Sequence, residues 1–498
     1  MNEAIKKGIV VGIGVILQIS ISLLFNLYLM EKLWIVNAFY AFLRVLLVLG
    51  LIKYSKHYSY TLPWLVILLL FPLVGTLLYV ILGNNKNKSS VLKKIVKSEK
   101  DAFKYLVQEE SVYEEFKDNG RLRYISDFAG YPITKNNLIS YYPLGEEAFL
   151  EMLKELEEAK KFIFIEYFII SKGVMWEKIL NILIEKVKQN VEVRIMYDDA
   201  GCISTFPHNY KDYLESLGMK CVVFNKLHPI SGVIMNNRDH RKILIIDGKI
   251  AFSGGINISD EYINVGSPYG HWKDNGIKVK GPAVWNYTVM FLALWNAFSK
   301  EDDDFTKFYN SDFKEECPGY VAAFGETPLD DEVTGEDIYM NIINQSHDYV
   351  YIFTPYLIID SEMINALSLA AKRGVDVRIV IPGIPDKKLV YTLSLSYVEI
   401  LVAAGVKIYK YTPGFVHAKV FVSDDTVATV GTINLDYRSL YLHFECGLYM
   451  ENVDVIKDIK SDLLETTNKS HEVKKEEATP GFWKSIWQAI LRLFAPLM

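Results

Sequence analysis

The sequence predicts an α/β protein of two tandem lobes, preceded by an N-terminal α-helical membrane region. Three observations carry this prediction. His240-Arg-Lys-Ile-Leu-Ile-Ile-Asp247 recurs as His417-Ala-Lys-Val-Phe-Val-Ser-Asp424, so that H-x-K-x4-D occurs twice. At the same distance beyond each Asp stands a second matched element, Gly254-Gly-Ile-Asn257 and Gly431-Thr-Ile-Asn434. Long apolar runs, finally, are confined to residues 8–83. Two copies with matching downstream offsets are a far more specific signal than a lone motif.

A chain of 498 residues has room for two or three domains, each with its own core. A net charge of -6 and a pI near 5.9 exclude a global basic field that would recruit nucleic acid. Cys202, Cys221, Cys317 and Cys446 lie far apart without C-x-x-C spacing, the pattern of reduced thiols in a cytosolic domain.

From the N-terminus, Gly8–Met30 is free of charge and long enough to span about 30 Å of hydrocarbon. Leu33–Ile52 is a second candidate, interrupted by Asn37 and Arg44, and Thr61–Gly83 a third, carrying Pro63, Pro72 and Gly75. No small-residue cleavage site follows the first run, which argues against a signal peptide. Lysines at 6 and 7, at 53 and 56, and between Lys86 and Lys97 would all be cytoplasmic under the positive-inside rule. That arrangement needs two full spans and a re-entrant third run. Three spans with the N-terminus outside is the competing topology, and both leave the remainder cytosolic. The expected division is an anchor over 1–88, a cytosolic linker over 89–137, lobes over 138–318 and 319–470, and a linker with a C-terminal amphipathic helix over 471–498.

Each lobe repeats one α/β order. Helices near 146–160 and 335–347 precede buried strands Phe162–Ile170 and Tyr349–Ile358. Helices near 174–189 and 361–373 follow, then strands Val191–Ile195 and Val375–Ile379. Gly218-Met-Lys220 and Gly405-Val-Lys407 open the next strands, and the motif comes last. The acidic stretch Glu301–Asp304 and the region to about 334 read as the connection. Within each motif, His and Lys at i and i+2 share one strand face and can reach one substrate. Asp247 and Asp424 sit at odd offsets, so they belong to the motif set but read as structural anchors. Two histidines and two lysines are the parts needed to break a phosphodiester without a metal.

At these residues the chain resembles the phospholipase D superfamily, and in particular its bacterial cardiolipin synthase branch. The resemblance rests on Asn237–Lys249, Gly254–Tyr262, Tyr197-Asp-Asp-Ala-Gly201, Phe353-Thr-Pro-Tyr356, the closing Leu493–Met498 and the stretch Pro63–Gly83. It covers nearly the whole chain. Gly8–Met30 exceeds the two hydrophobic segments usual in the branch, and Gly255 replaces the Ser or Thr that many members keep, whereas Thr432 retains the hydroxyl.

The resemblance implies two lobes packed with pseudo-twofold symmetry and a catalytic set of His240, Lys242, Asp247, His417, Lys419 and Asp424. Asn257, Asn434, Gly254, Gly431 and Thr432 would surround the phosphate. The lysines and asparagines would neutralise and hydrogen-bond its non-bridging oxygens in place of a metal. His240 is the expected nucleophile, forming a phosphatidyl-histidine, and His417 the acid/base, with the reverse order open. Glu445 and Asp274 are the candidate acids that orient the imidazoles. The implied reaction makes cardiolipin from two phosphatidylglycerols and releases glycerol, without cofactor or metal, at a bacterial cell membrane. The chain would be multi-pass there, with cytoplasmic catalytic lobes.

A lipid hydrolase or a transferase using another alcohol is the near alternative. A membrane-tethered nuclease is more distant, disfavoured by net acidity, the anchor and the Trp-rich terminus, and no nucleic acid partner is expected. A non-catalytic scaffold would not need both complete motifs. His208, His228, His271 and His443 lack metal-ligand spacing and read as packing or surface residues, and Asp198 and Asp199 as residues that shape the cleft. Trp483, Ile486, Trp487, Ile490, Leu491 and Phe494 keep helical spacing after Pro480-Gly481, with Lys484, Gln488 and Arg492 elsewhere. That pattern suits an interfacial helix near lipid headgroups, with a helix packed on the core as the alternative.

Overall fold

A computed structural model describes residues 34–54, 58–70, 75–76, 79, 90–207, 209–225, 237–299, 303–310 and 312–497. Two compact units emerge, Met1–Asn87 with Leu493–Met498, and Lys88–Arg492. In the first, helices Trp34–Tyr54 and Tyr58–Leu70 bury Leu51, Trp64 and Leu68 in a small core. Among the described residues no helix is long and apolar enough to cross a membrane. The longest, Trp34–Tyr54 with 21 residues, carries Asn37, Arg44 and Lys53 among its apolar side chains. Gly8–Met30 and much of the run after Leu70 lie outside the described residues.

The second unit holds two sheets with one strand order. In the first lobe it runs Lys220–Phe224, Glu192–Asp198, Phe162–Tyr167, Lys242–Ile246, Ile250–Gly254, Gly276–Lys280, Leu138–Tyr142. The second repeats it as Lys407–Tyr411, Asp376–Pro382, Tyr349–Phe353, Val420–Ser423, Val427–Gly431, Glu445–Glu451, Tyr320–Glu326, with Ser470–Glu472 added outside Lys407–Tyr411. In both lobes three parallel strands meet an antiparallel ladder at the motif strand. Every residue of Phe162–Tyr167 and Tyr349–Phe353 is buried, which explains why both are apolar or aromatic but for Glu166. The single strand expected over Tyr349–Ile358 is broken at Thr354-Pro355. Proline has no N–H for the ladder, and the Thr354 hydroxyl turns back to the Tyr356 carbonyl (2.8 Å).

Helices Gly145–Glu157, Val174–Lys188, Thr334–Gln345 and Ser361–Lys372 lie where the hydrophobic periodicity puts them. Val284–Phe298 was not anticipated. Apolar on nearly all sides, it is buried on nearly all sides, between the first sheet, strand Tyr320–Glu326 and helix Ser90–Ala102. Residues 90–137 are folded rather than free. The Asn119 amide and Arg121 guanidinium donate to Glu451 (2.7 and 2.9 Å), and Thr134 bridges to Val321.

The motif aspartates close each lobe. Asp247 and Asp424 adopt left-handed backbone, φ 54° and 52°, which Asp tolerates better than most residues. The Asp247 carboxylate accepts the backbone N–H groups of Lys160, Lys161 and Phe162 (2.9, 2.6 and 2.9 Å), and Asp424 those of His347, Asp348 and Tyr349 (2.8, 3.0 and 2.9 Å). Each carboxylate thus ties the turn after its motif strand to the start of the neighbouring strand. We expect Asp247→Ala to cost about 2–3 kcal/mol, by leaving these donors unpaired, and Asp247→Asn to cost less. Thermal denaturation should order the midpoints wild type, Asn, Ala; equal midpoints for wild type and Ala would remove the anchoring role.

Candidate active site

Each motif histidine is stitched to the opposite lobe through its own backbone. The His240 N–H donates to the Phe444 carbonyl (2.8 Å), and the Phe444 N–H to the Arg238 carbonyl (2.8 Å). On the other side the His417 N–H donates to the Lys273 carbonyl (2.8 Å), where strands His271–Lys273 and Gly414–Val416 run parallel. The residue after each stitch is an acid. His240 Nδ1 meets Glu445 at 2.8 and 2.9 Å, and His417 Nδ1 meets Asp274 at 2.7 Å. The sequence marked both acids; what it could not reveal is that each orients the histidine of the other lobe.

The supporting residues differ between halves for a steric reason. The Thr432 hydroxyl donates to Glu445 (2.5 Å), steadying the longer acid. A Cβ on Gly255 would lie 1.9 Å from the Asp274 carboxylate, so the shorter acid occupies the space a hydroxyl residue would need. Gly254 and Gly431 let the strand approach the backbone opposite, where a Cβ would fall 2.5 Å from the Asn275 and Cys446 carbonyl oxygens.

Lys242 and Lys419 are fully buried between the pairs. The Lys242 ammonium donates to the His240 carbonyl (2.6 Å), and that of Lys419 to the His417 carbonyl and, at 2.9 Å, toward its Nδ1. Asn257 donates through Nδ2 to the Tyr262 hydroxyl (2.7 Å) and Asn434 to that of Ser439 (3.0 Å), which leaves each amide a second hydrogen.

Burial sets the protonation pattern. It drives His240 well below its ordinary value, with Lys242 adding to the effect. His417 falls to about 4 through burial and Lys419, against the pull of Asp274. Lys242 drops to about 8 and Lys419 to about 7, each through burial. Burial lifts Glu445 to about 8, while Asp274 ends below the usual carboxylate value because His417 and Lys419 outweigh its burial. The result is a cleft of neutral imidazoles and easily discharged ammoniums that gains from an entering anion.

His443 packs beside His240, within the packing role expected of it. Its ring lies 5.7 Å from that of His240, and neither ring nitrogen has a hydrogen-bond partner. Its i−2 offset from Glu445 on an extended segment was the available signal. His240, His443 and Glu445 together offer three possible metal-ligand atoms within 4.8 Å of one another. An ion there would take the Glu445 oxygens that hold His240 Nδ1. Tyr262 and Trp272 pack on His417, with ring centroids at 5.3 and 5.4 Å, and Phe168 packs on His240 at 5.0 Å. Asp198 braces the approach to His240 by accepting the Asp239 N–H (3.1 Å) and capping Asp199–Cys202. His271 shares a hydrogen bond with the Tyr411 hydroxyl (3.0 Å), a packing role, and His208 and His228 lie outside the described residues.

Two imidazoles held crosswise by carboxylates, with two lysines between them, suit the binding of a phosphodiester anion. Residues 152–295 and 339–466 match the family described as cardiolipin synthase, PLD-like domain, and residues 38–84 match the phospholipase D-nuclease N-terminal family. The chain belongs to the PLD-like cardiolipin synthase family. It is 45% identical over 448 residues to an uncharacterized protein of Streptococcus mutans, covering 87% of this chain and 96% of that one. Identity is 33% to cardiolipin synthase 1 of Staphylococcus aureus (93% and 96% covered) and 31% to a cardiolipin synthase of Halalkalibacterium halodurans (93% and 95%). The phosphatidylserine synthase of Haemophilus influenzae shares the fold, with a TM-score of 0.57 at 14% identity over 76% of this chain and 98% of that one.

We expect Asp274→Asn to lower turnover roughly 10²–10⁴-fold while circular dichroism stays unchanged, because the His417 imidazole loses the charge that fixes its tautomer, and Glu445→Ala to lower it likewise, because His240 loses the partner at its Nδ1. Turnover within threefold of wild type would reduce these acids to packing.

Proposed function

We propose that the chain is a phosphatidyltransferase that joins two phosphatidylglycerols into cardiolipin and releases glycerol. The observation that supports this most is the crosswise pairing of His240 with Glu445 and His417 with Asp274 around Lys242 and Lys419. In the proposed sequence the bare Nε2 of His240 attacks the donor phosphorus as the bond to the glycerol headgroup breaks, and His417 gives its Nε2 proton to the departing oxygen. A phosphatidyl-histidine results. His417 then takes the proton of an acceptor hydroxyl, which attacks phosphorus and frees His240. One phosphodiester replaces another, so the exchange requires no nucleotide or metal. The near twofold relation of the halves permits the mirror order, with His417 attacking. Lys242 and Lys419, with the second amide hydrogens of Asn257 and Asn434, would hold the non-bridging oxygens, the bound anion drawing both lysines back to their charged forms.

A bilayer is the proposed setting, with the lobes on the cytoplasmic side of a bacterial cell membrane. Helix Trp34–Tyr54 exposes Phe39, Phe42, Val45, Leu46 and Leu49. Helix Phe482–Phe494 is inside out for a soluble protein. Gln488 and Arg492 face helix Lys388–Ala403, bonding to the Thr392 carbonyl and the Ser396 hydroxyl, while Phe482, Trp483, Ile486, Trp487 and Ile490 are exposed. Exposed aromatic and aliphatic side chains on one helix suit the boundary of headgroups and acyl chains.

Mass spectrometry after incubating the solubilised protein with phosphatidylglycerol should find cardiolipin and glycerol, neither formed by His240→Ala, and the same yield in EDTA. Phosphatidic acid alone would make water the acceptor and the chain a phospholipase. Loss in EDTA that added metal restores would overturn the metal-free scheme, and plasmid cleavage in place of lipid turnover would favour the nuclease reading. The pH profile of kcat/KM should be bell-shaped. It rises at acid pH as His240, held well below its ordinary value by burial, becomes neutral, and falls through about 7 to 8, where Lys419 and Lys242 lose their protons. A flat profile across that range would contradict the assignment.

A further inference from the structure

The two halves of the cleft carry opposite charges at matched positions. Asn257 and Asn434 are each bonded to the residue five places on, Tyr262 and Ser439, which fixes the register between halves. One place earlier stand Glu261 in the first half and Arg438 in the second. Glu261 is engaged by the Ser259 hydroxyl. Arg438 is not similarly spent. Its Nε is buried without a hydrogen-bond partner, and among the described residues no carboxylate lies within ion-pair distance of its guanidinium.

Arg438 lies in the short helix Tyr437–Tyr441, and its carbonyl accepts the His443 N–H (2.9 Å), so the two residues turn together beside His240. Lys387, exposed, holds its ammonium 5.4 Å from the centre of the Tyr356 ring, also without a carboxylate partner among the described residues. The Tyr356 ring packs on Phe415 (6.4 Å), which packs on His417 (6.1 Å), so Lys387 joins the same cleft through two rings. The carboxylates nearby are committed. Asp436 accepts the Ser439 N–H (2.9 Å), Asp386 the Tyr356 hydroxyl (2.6 Å), and Glu445 holds His240. Beside the reacting centre, then, Arg438 and Lys387 form no ion pair among the described residues, and the Arg438 Nε donor is unspent.

The transfer proposed above brings two phosphates into the cleft, and Lys242 and Lys419 account for only one. The acceptor's own phosphate is separated from its attacking hydroxyl by a glycerol, so it must lie beside the reacting phosphorus, and two uncompensated anions in a buried cleft repel strongly. We infer that Arg438, with Lys387 and His443, forms the subsite that holds the phosphodiester of the acceptor phospholipid. The inference rests on the cardiolipin-forming reading and adds that the acceptor is selected by its charge over water or a neutral alcohol. A guanidinium, with its planar fork of donors, matches a phosphodiester in two hydrogen bonds.

The test offers phosphatidylglycerol vesicles together with ethanol, a small uncharged acceptor, and measures cardiolipin and phosphatidylethanol by mass spectrometry. Arg438→Gln should lower cardiolipin on the order of tenfold or more while phosphatidylethanol, which needs only the donor site, stays within about twofold. Arg438→Lys should recover part of the cardiolipin, and Lys387→Gln should shift the ratio in the same direction by less. A parallel loss of both products would make Arg438 a support of the donor site or the fold, and an unchanged ratio would remove it from acceptor binding; either result overturns the inference. Wild-type protein that forms phosphatidylethanol but no cardiolipin would instead overturn the cardiolipin reading itself, with the donor chemistry intact.

Discussion

The exchange of carboxylates between lobes is the constraint on which the site depends. His240 is held by an acid of the second lobe and His417 by an acid of the first, each over less than 3 Å. A shift of one lobe by an ångström would release both imidazoles at once. The backbone stitches at Phe444 and Lys273 prevent this, because each fixes the chain one residue before the acid. Helix Val284–Phe298 and strand Tyr320–Glu326 fill the space behind, so the lobe interface is built like a core rather than like a mobile domain contact.

Charge beneath the histidines is arranged to the same end. Arg241, between His240 and Lys242 in sequence, is fully buried, with Glu99 at 3.8 Å and Glu166 at 3.9 Å. Burial raises Glu99 to about 7 and Asp239 to about 6, against the pull of Arg241 in each case, and drives Glu166 well above the carboxylate range with Asp239 reinforcing it. This layer lies on the far face of the motif strand, where odd offsets direct side chains away from substrate. Removing a single member would leave a buried charge uncompensated, which costs more than any pair in it contributes. Glu99 draws helix Ser90–Ala102 into this layer, against Arg241.

Most of the two-lobed plan was legible in the sequence because the motif strands and their neighbours are short apolar runs in one order, copied twice. The same periodicity found the four helices that flank the first strands of each lobe. It did not find Val284–Phe298, since a helix buried on nearly all sides has no broad polar face to mark its period. Folding of residues 90–137 onto the second lobe depends on contacts such as Arg121 with Glu451, whose separation in the chain hides them. Within the site, motif spacing pointed to the histidines and lysines, the family resemblance supplied Glu445 and Asp274 as candidate acids, and strand alternation pointed to the anchoring aspartates. The crossing of the acids was beyond reach, because spacing along a chain says nothing about which copy of a repeat a side chain enters. That His443 packs on His240 itself was hidden for a different reason. A histidine with no partner in sequence looks inert until the ring beside it is seen.

The crossed acids also bear on how such a chain can arise. A single lobe would carry a histidine with no carboxylate to hold it and an acid with no histidine to serve. Only two copies facing one another complete even one working pair, so a half-length ancestor would have been bound to act as a symmetric dimer. Fusion of the copies into one polypeptide removes the need for identical halves. Gly255 opposite Thr432, Asp274 opposite Glu445 and Glu261 opposite Arg438 are differences a homodimer could never hold, and through them one face of the cleft became unlike the other.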